Sequence, residues 1–499
     1  MAKGPFTLRE ATIRDIHAAF RDKQLSAREL VQLYLNRIER LDRDGPAINS
    51  IITVNPRALE EADRLDGVWR ASGPVGPLHG IPVILKDQID AVGMPTTLGS
   101  VMFRDLQPDR DAFVVEKLKA AGAIVLAKAT LGELGAGDTH GTLFGSTRNP
   151  YDLDRTVGGS SGGPAAAMAC NFGTLAVGQE GFASIRRPSA WNSIVGMRPT
   201  AGLVSRSGLY AGWPSLNGSL GPMTRTVEDL AVLLDVMVGY DAEDPITGLG
   251  VGHAPASYTA YLDGNGLAGA RIGVLREVIG YESEPEAPDF AVVDAVFGEA
   301  LADLQRRGAT LVDPVTIPKL KESLGKLYLG GRAAEAFEQY VGRSRNPPFR
   351  TYQEFMACPD HARVVLQMKR GPRTPNATAE YEYLRARDEL TINLHKVMAD
   401  FGLDAIVHKS VEHLPTLIAE GITPPYVNQK GAPFINTFLV YASSMSVPAG
   451  FTSDGLPVGI TFLGRPYDDG RLITLAYAYE QATRKRRPPD LLPALPGEP

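Results

Sequence analysis

The sequence predicts an α/β layered fold. Three observations carry that expectation. Helical segments with apolar residues on one face alternate with short, continuous apolar runs of strand length. Glycine punctuates the passage from one to the other and is densest between Gly132 and Gly221, which gathers the unusual backbone conformations into one region. The chain has 499 residues, 44% hydrophobic and 22% charged, so it can bury a large core without crosslinks. One continuous domain over residues 1–499 is expected.

The first element is "SARELVQLYLNRIERLD". Ser26 and Glu29 form a capping box, and Leu30, Leu33, Tyr34, Ile38 and Leu41 follow at helical spacing. In "GIPVILKD", Ile81 to Leu85 reads as a buried strand with Lys86 at its end. "DAFVVEKLKAAGAIVLAKAT" predicts a helix from about Asp111, a stop at Gly122 and a strand from Ala123 to Ala127. The same grammar recurs in "TRTVEDLAVLLDVMVG" with "ARIGVLRE", in "VVDAVFGEALADLQRRGATLV" and in "DELTINLHKVMADFGLDAIVHKS". "GLPVGITFLG" is a late strand and "GRLITLAYAYEQATRK" a closing helix. The Gly-, Pro- and Ala-rich stretch from about Tyr240 to Ala270 reads as a long surface connection.

Composition excludes several classes. A net charge of −6 argues against a nucleic-acid or anionic-membrane partner, and "RKRRPP" (Arg484 to Pro489) is expected to be a solvated helix end. Cys170 and Cys358 lie in no CxxC pattern and are expected to be reduced and buried. The histidines lack ligand spacing, so no metal is expected, and His408 and His413 read as structural. No secretory leader and no run long enough to span a membrane is apparent, which makes a cytoplasmic location the expectation.

The densest chemical signal is "TVGGSSGGPAAAMACNFGTLAVGQEGFASIRRP" (Thr156 to Pro188). A flexible linker is a poor reading, because the glycines run straight into a helix start with Pro164 in its first turn. A phosphate cradle would need a lysine in G-x-x-x-x-G-K-[ST] order, which is missing. A nucleophile elbow at Ser161 matches G-x-S-x-G, but "RNPYDLDRTV" before it is a poor buried strand, and the late histidine it needs is missing, since the last, His413, stands 86 residues from the end. The fourth reading recruits Lys86. Burial at a strand end lowers a lysine pKa toward general-base range, and a bridging serine can both donate and accept a proton. The competing role for Lys86 is a snorkelling cation or an ion pair with Asp87.

These blocks resemble the amidase signature family. "GPLHGIPVILKDQIDAVGMPTTLGS" is similar to its lysine block, "GSTRNPYDLDRTVGGSSGGPAAAMA" to its Gly-Ser-Ser-Gly block and "SIRRPSAWNSIVGMRPTAGLVSRSG" to its nucleophile block. Two later stretches, "GSLGPMTRTVEDLAVLLDVM" and "SVPAGFTSDGLPVGITFLGRPYDDGRLITLAYAYEQAT", match as well. The resemblance implies a large mixed central β-sheet covered by helices on both faces. It implies a Ser–Ser–Lys triad with Ser184 as nucleophile, Ser160 as the bridging serine on a cis peptide bond and Lys86 as base. It further implies an oxyanion hole from the backbone N–H groups of Gly181, Phe182, Ala183 and Ser184. No cofactor is implied.

The family usually reads Gly-Thr-Asp-(Thr/Ile)-Gly-Gly-Ser ahead of the arginine. Here the stretch is Gly178-Gln179-Glu180-Gly181-Phe182-Ala183-Ser184, so two glycines are replaced. Strain is expected if those positions need a positive φ. Phe182 either packs under the loop or lines the acyl pocket. Arg186 is expected to clamp neighbouring carbonyls or acids, and Ser161 to support the turn. The resemblance places the loop Gly132–Gly145 beside the substrate, with Gly135, Ala136 and Gly137 as contacts, while Asp138 and His140 are expected to be solvated. Residues 240–440 match the family poorly and are expected to shape the substrate pocket. The expected activity is cleavage of an amide C–N bond, with carbamates, anilides or esters as related substrates, by a monomer or homodimer. The alternatives are a glutaminase subunit of a tRNA-dependent amidotransferase and an inactive binding protein on the same fold.

Overall fold

The computed structural model describes residues 5–210, 218–329, 333–370 and 375–499. Among them, eleven strands form one mixed sheet. In chain order these are β1 (Ile51–Val54), β2 (Pro82–Lys86), β3 (Ile124–Ala129), β4 (Leu175–Glu180), β5 (Val195–Arg198), β6 (Ser219–Thr224), β7 (Arg271–Leu275), β8 (Thr310–Val315), β9 (Ala405–Lys409), β10 (Ser444–Phe451) and β11 (Pro457–Leu463). Across the sheet they run β1-β3-β2-β4-β6-β5-β10-β11-β9-β7-β8. β2 is parallel to β3 and β4, and β7 is parallel to β8 and β9. The remaining pairs are antiparallel.

Strands covered on both faces need apolar residues at every position rather than at alternate ones. β2, β3 and β4 are buried throughout their length, which explains the apolar runs Ile81–Leu85 and Ala123–Ala127; β4, not expected from the sequence, ends in the buried Gln179 and Glu180. Parallel neighbours need long crossovers. Helix Phe113–Ala120 lies between β2 and β3, and helix Gly162–Ala169 between β3 and β4. The second helix sits hard against the sheet: a Cβ on Gly163 would meet the Thr130 carbonyl oxygen at 2.3 Å. The Ser26–Glu29 capping box is formed, and helix Ala27–Arg37 runs on into a π turn over Ile38–Arg43.

Several expectations need correction. Residues 240–270 are not a simple surface connection: Asp241, Thr247, Tyr258 and Leu267 are buried, and short 3-10 turns form at Pro245–Gly250 and Tyr258–Tyr261. The basic stretch after the last helix is not simply solvated. Arg486 donates to both Glu10 oxygens (2.7 and 2.8 Å) and to the Ser193 carbonyl, so its charge is matched under the surface. Cys170 is buried, but Cys358 is only half-buried. The polar stretch before the glycine turn, by contrast, is as expected no buried strand of the main sheet: Asp152–Thr156 pairs only with Arg148–Asn149 in a separate two-stranded ribbon.

Candidate active site

Three neighbouring parts of the fold converge. Lys86 ends β2, Ser160 lies in the glycine turn before helix Gly162–Ala169, and Ser184 follows β4, which pairs with β2. The Lys86 Nζ lies 2.7 Å from the Ser160 Oγ, and the Ser160 Oγ lies 3.0 Å from the Ser184 Oγ. The Gly159–Ser160 peptide is cis. Lys86 and Ser160 are fully buried and Ser184 is 5% exposed. Burial drives the Lys86 ammonium well below the ordinary lysine range, and the Glu180 charge pulls it part of the way back. Asp87 does not pair with Lys86. It binds the buried Lys128 at 3.1 Å and accepts from the Thr97 N–H, because successive residues at a strand end point to opposite faces.

The second hydrogen-bonding direction of Ser160 is fixed by the Gly135 carbonyl, 2.7 Å from Oγ. Ser161 braces the same turn: its Oγ donates to the Gln179 carbonyl at 3.1 Å and accepts from the Gln179 N–H at 3.2 Å. Glu180 organises the nucleophile loop. Its carboxylate accepts the N–H groups of Ile185 (2.8 Å) and Arg186 (3.0 Å) and the Arg186 Nε (2.7 Å). Arg186 then donates to the Phe182 carbonyl at 3.0 Å, the clamp expected of it. The N–H groups of Phe182, Ala183 and Ser184 have no hydrogen-bond partner among the described residues. Neither Phe182 nor Ala183 has a positive φ, so replacing the glycines brings no backbone strain.

Phe182 is 1% exposed and stacks on Phe434 (centroids 5.5 Å apart), with Tyr281 edge-on at 6.0 Å. That is packing beneath the loop, not an open pocket wall. Of the expected contact loop, Gly135 and Gly137 are buried and Ala136 is half-buried. Asp138 and His140 are not solvated. Asp138 pairs with Arg187 at 2.7 Å, and the His140 ring nitrogen Nδ1 lies 2.8 Å from the Ser146 Oγ. His408 contacts the Lys409 carbonyl and His413 contacts Asp289, away from the serines. Among the described residues no group of three or more His, Cys, Asp or Glu could hold a metal ion, and no helix is long and apolar enough to cross a membrane.

Sequence reasoning missed Arg187. It is buried, and its guanidinium donates to the Gly159 carbonyl (2.7 and 3.1 Å) and the Gly137 carbonyl (3.2 Å). The available signal was a second arginine inside an otherwise apolar, buried stretch. It also missed Gln88 and Gln179. Both side chains are buried, the Gln88 Nε2 lies 3.4 Å from the Gln179 Oε1, and the Gln179 carbonyl lies 3.4 Å from the Lys86 Nζ.

A sequence model of the Amidase family matches residues 29–473. The chain is 32% identical to a glutamyl-tRNA(Gln) amidotransferase subunit of Methanosarcina barkeri, over 94% of this chain and 97% of that protein. Among solved structures it resembles the peptide amidase of Stenotrophomonas maltophilia, with a TM-score of 0.84 at 34% identity over 98% of this chain and 100% of the other. It also resembles the corresponding glutamyl-tRNA(Gln) amidotransferase subunit of Thermotoga maritima, with a TM-score of 0.73 at 28% identity over 97% and 98%.

Proposed function

The chain belongs to the amidase family, whose chemistry is directed at C–N bonds, and from that premise we propose that it hydrolyses amides through an acyl-enzyme on Ser184. The observation that carries the reading is the unbroken contact from a buried, weakly basic Lys86 through Ser160 to Ser184. Uncharged Lys86 takes the Ser160 hydroxyl proton while Ser160 takes that of Ser184. The Ser184 Oγ bonds to the substrate carbonyl carbon, and the carbonyl π pair moves onto oxygen. The N–H groups of Phe182, Ala183 and Ser184, which have no partner among the described residues, receive the developing charge together with that of Gly181, and such donors contribute about 10²–10³-fold each. Collapse breaks the C–N bond, and the proton held on Lys86 returns through Ser160 to the departing amine. Water enters by the same relay, releases the acid and restores Ser184. Carbamates, anilides and esters undergo the same acyl transfer and belong in the substrate screen.

A second reading is favoured by the curated relatives, which are named as amidotransferase subunits. On that reading the same chemistry releases ammonia from glutamine for a partner protein. The higher TM-score to the peptide amidase supports the free-standing hydrolase. A fluorophosphonate probe tests the chemistry common to both. We expect an adduct on Ser184 in the native protein and none in Ser184→Ala. A Ser184→Ala variant with near-native amide turnover, or a folded native protein that takes no label, overturns the assignment and favours a binding protein.

A further inference from the structure

We infer that Arg187 is a positioning residue for the proton relay: it fixes the Gly159 and Gly137 carbonyls against one another and so aims the Ser160 hydroxyl between Lys86 and Ser184. The inference rests on the hydrolytic reading above and adds a residue to it.

The two consecutive arginines after Ser184 serve different loops. Arg186 turns to Glu180 and Phe182 and shapes the nucleophile loop. Arg187 turns the other way. Its Nε and Nη2 grip the Gly159 carbonyl, the first half of the Gly159–Ser160 peptide, and Nη2 also reaches the Gly137 carbonyl. Its Nη1 pairs with Asp138. Gly135, two residues before Gly137, presents the carbonyl that touches the Ser160 Oγ. One planar cation therefore ties the peptide that carries Ser160 to the loop that orients its hydroxyl.

The backbones here are too close to be held apart by side chains. A Cβ on Gly159 would meet the Gly137 carbonyl oxygen at 2.3 Å. Three carbonyl oxygens, of residues 135, 137 and 159, are turned onto Ser160 and Arg187, and their negative ends repel without a cation among them. Arginine suits the position because its rigid fork serves several acceptors in one plane, whereas an ammonium is a point donor. Trp191 lies under the guanidinium with its ring 5.6 Å from the central carbon, which steadies that plane. The Asp138 carboxylate also accepts from the Gln429 N–H at 3.4 Å, and the Asp138 N–H donates to the Asn428 Oδ1 at 3.1 Å, so the anchor reaches a third loop.

The test is the rate of fluorophosphonate labelling at Ser184 against pH, for the native protein, Arg187→Lys and Asp138→Asn. Small misplacement of a reacting group costs about 10²-fold. We expect the high-pH plateau of Arg187→Lys to fall by about that factor, with a smaller fall for Asp138→Asn, and the pH midpoint to stay at the native value. A fixed midpoint separates positioning from general loosening, because water admitted around Lys86 raises its pKa and moves the midpoint up. An unchanged plateau in a folded variant overturns the inference, as does a plateau that falls together with a rising midpoint. If Arg187→Lys does not fold, the nearly isosteric Asp138→Asn decides on the same criteria. A native protein that is not labelled sinks the hydrolytic reading and this inference together; labelling that the variants do not alter sinks this inference alone.

Discussion

Lys86 is asked to be uncharged at a pH where a free lysine is not. The ordinary value is ~10.4, and complete burial lowers it while Glu180 opposes the shift. Two outcomes follow from that one displacement. On the proposed mechanism activity needs the neutral amine, so the rate falls as pH drops through the folded-state pKa, and Lys86→Met should lose about 10²–10⁴-fold above that pKa, with the gap to the native protein narrowing below it. Stability moves with the opposite dependence on the side chain. Unfolding lets Lys86 bind a proton that the folded state has released, so between the lowered pKa and ~10.4 the unfolded chain holds more protons and stability climbs with pH. Lys86→Met carries no such proton. Its melting temperature should exceed that of the native protein below this window and converge on it as pH nears ~10.4. Thermal melts of both proteins across that range check the sign; a variant that melts lower at neutral pH would show that Lys86 is held by more than it costs to bury.

The element that presents Ser160 is helix Gly162–Ala169, and its distance from β3 is set by glycine. A Cβ on Gly163 would meet the Thr130 carbonyl oxygen at 2.3 Å, the Thr130 Oγ1 at 2.5 Å and the Thr130 nitrogen at 2.6 Å. Two of these are backbone atoms of the residue directly after β3, which cannot rotate away. Gly163→Ala therefore pushes the helix start off the strand, at a cost of about 1–3 kcal/mol for overpacking. Because Ser160 lies three residues before Gly163, the same displacement lengthens its contact with Lys86. We expect both a lower denaturation midpoint and slower labelling of Ser184. Gly248→Ala is the control: nothing lies within 4 Å of its Cβ position, and both readouts should stay native.

At the scale of the molecule, the layered architecture was legible because β2 and β3 are buried on both faces and open with short apolar runs, whereas β4, whose buried strand ends in Gln179 and Glu180, was not read as a strand. The three side chains of the relay were legible through the resemblance of their flanking blocks, and their meeting follows from β2 lying beside β4. What hid from the sequence were pairings between distant segments: Arg187 with Asp138, Arg486 with Glu10 and Lys128 with Asp87. A charged residue announces no partner until the fold supplies one, which is why Asp138 and the basic tail were expected in solvent. Those pairings also bear on the substrate. Arg186, Arg187 and Arg198, the buried arginines around the nucleophile loop, are bound to Glu180, to Asp138 and to the Val440 and Ala442 carbonyls. Beneath the loop, Phe182 and Ala183 pack with Ala432, Tyr281, Leu327, Leu329 and Phe434. A charged amino acid such as glutamine needs its carboxylate matched, and these three guanidinium groups already hold acids or carbonyls of the chain itself, whereas an uncharged acyl group needs no such partner. The purified chain, without partners, should therefore cleave neutral aryl or peptide amides at least tenfold more efficiently than glutamine, about 1.4 kcal/mol in transition-state binding. Parallel kcat/KM measurements on the two substrate types decide it, and glutamine turnover that appears only when a partner protein is added would instead place the chain with the amidotransferase subunits.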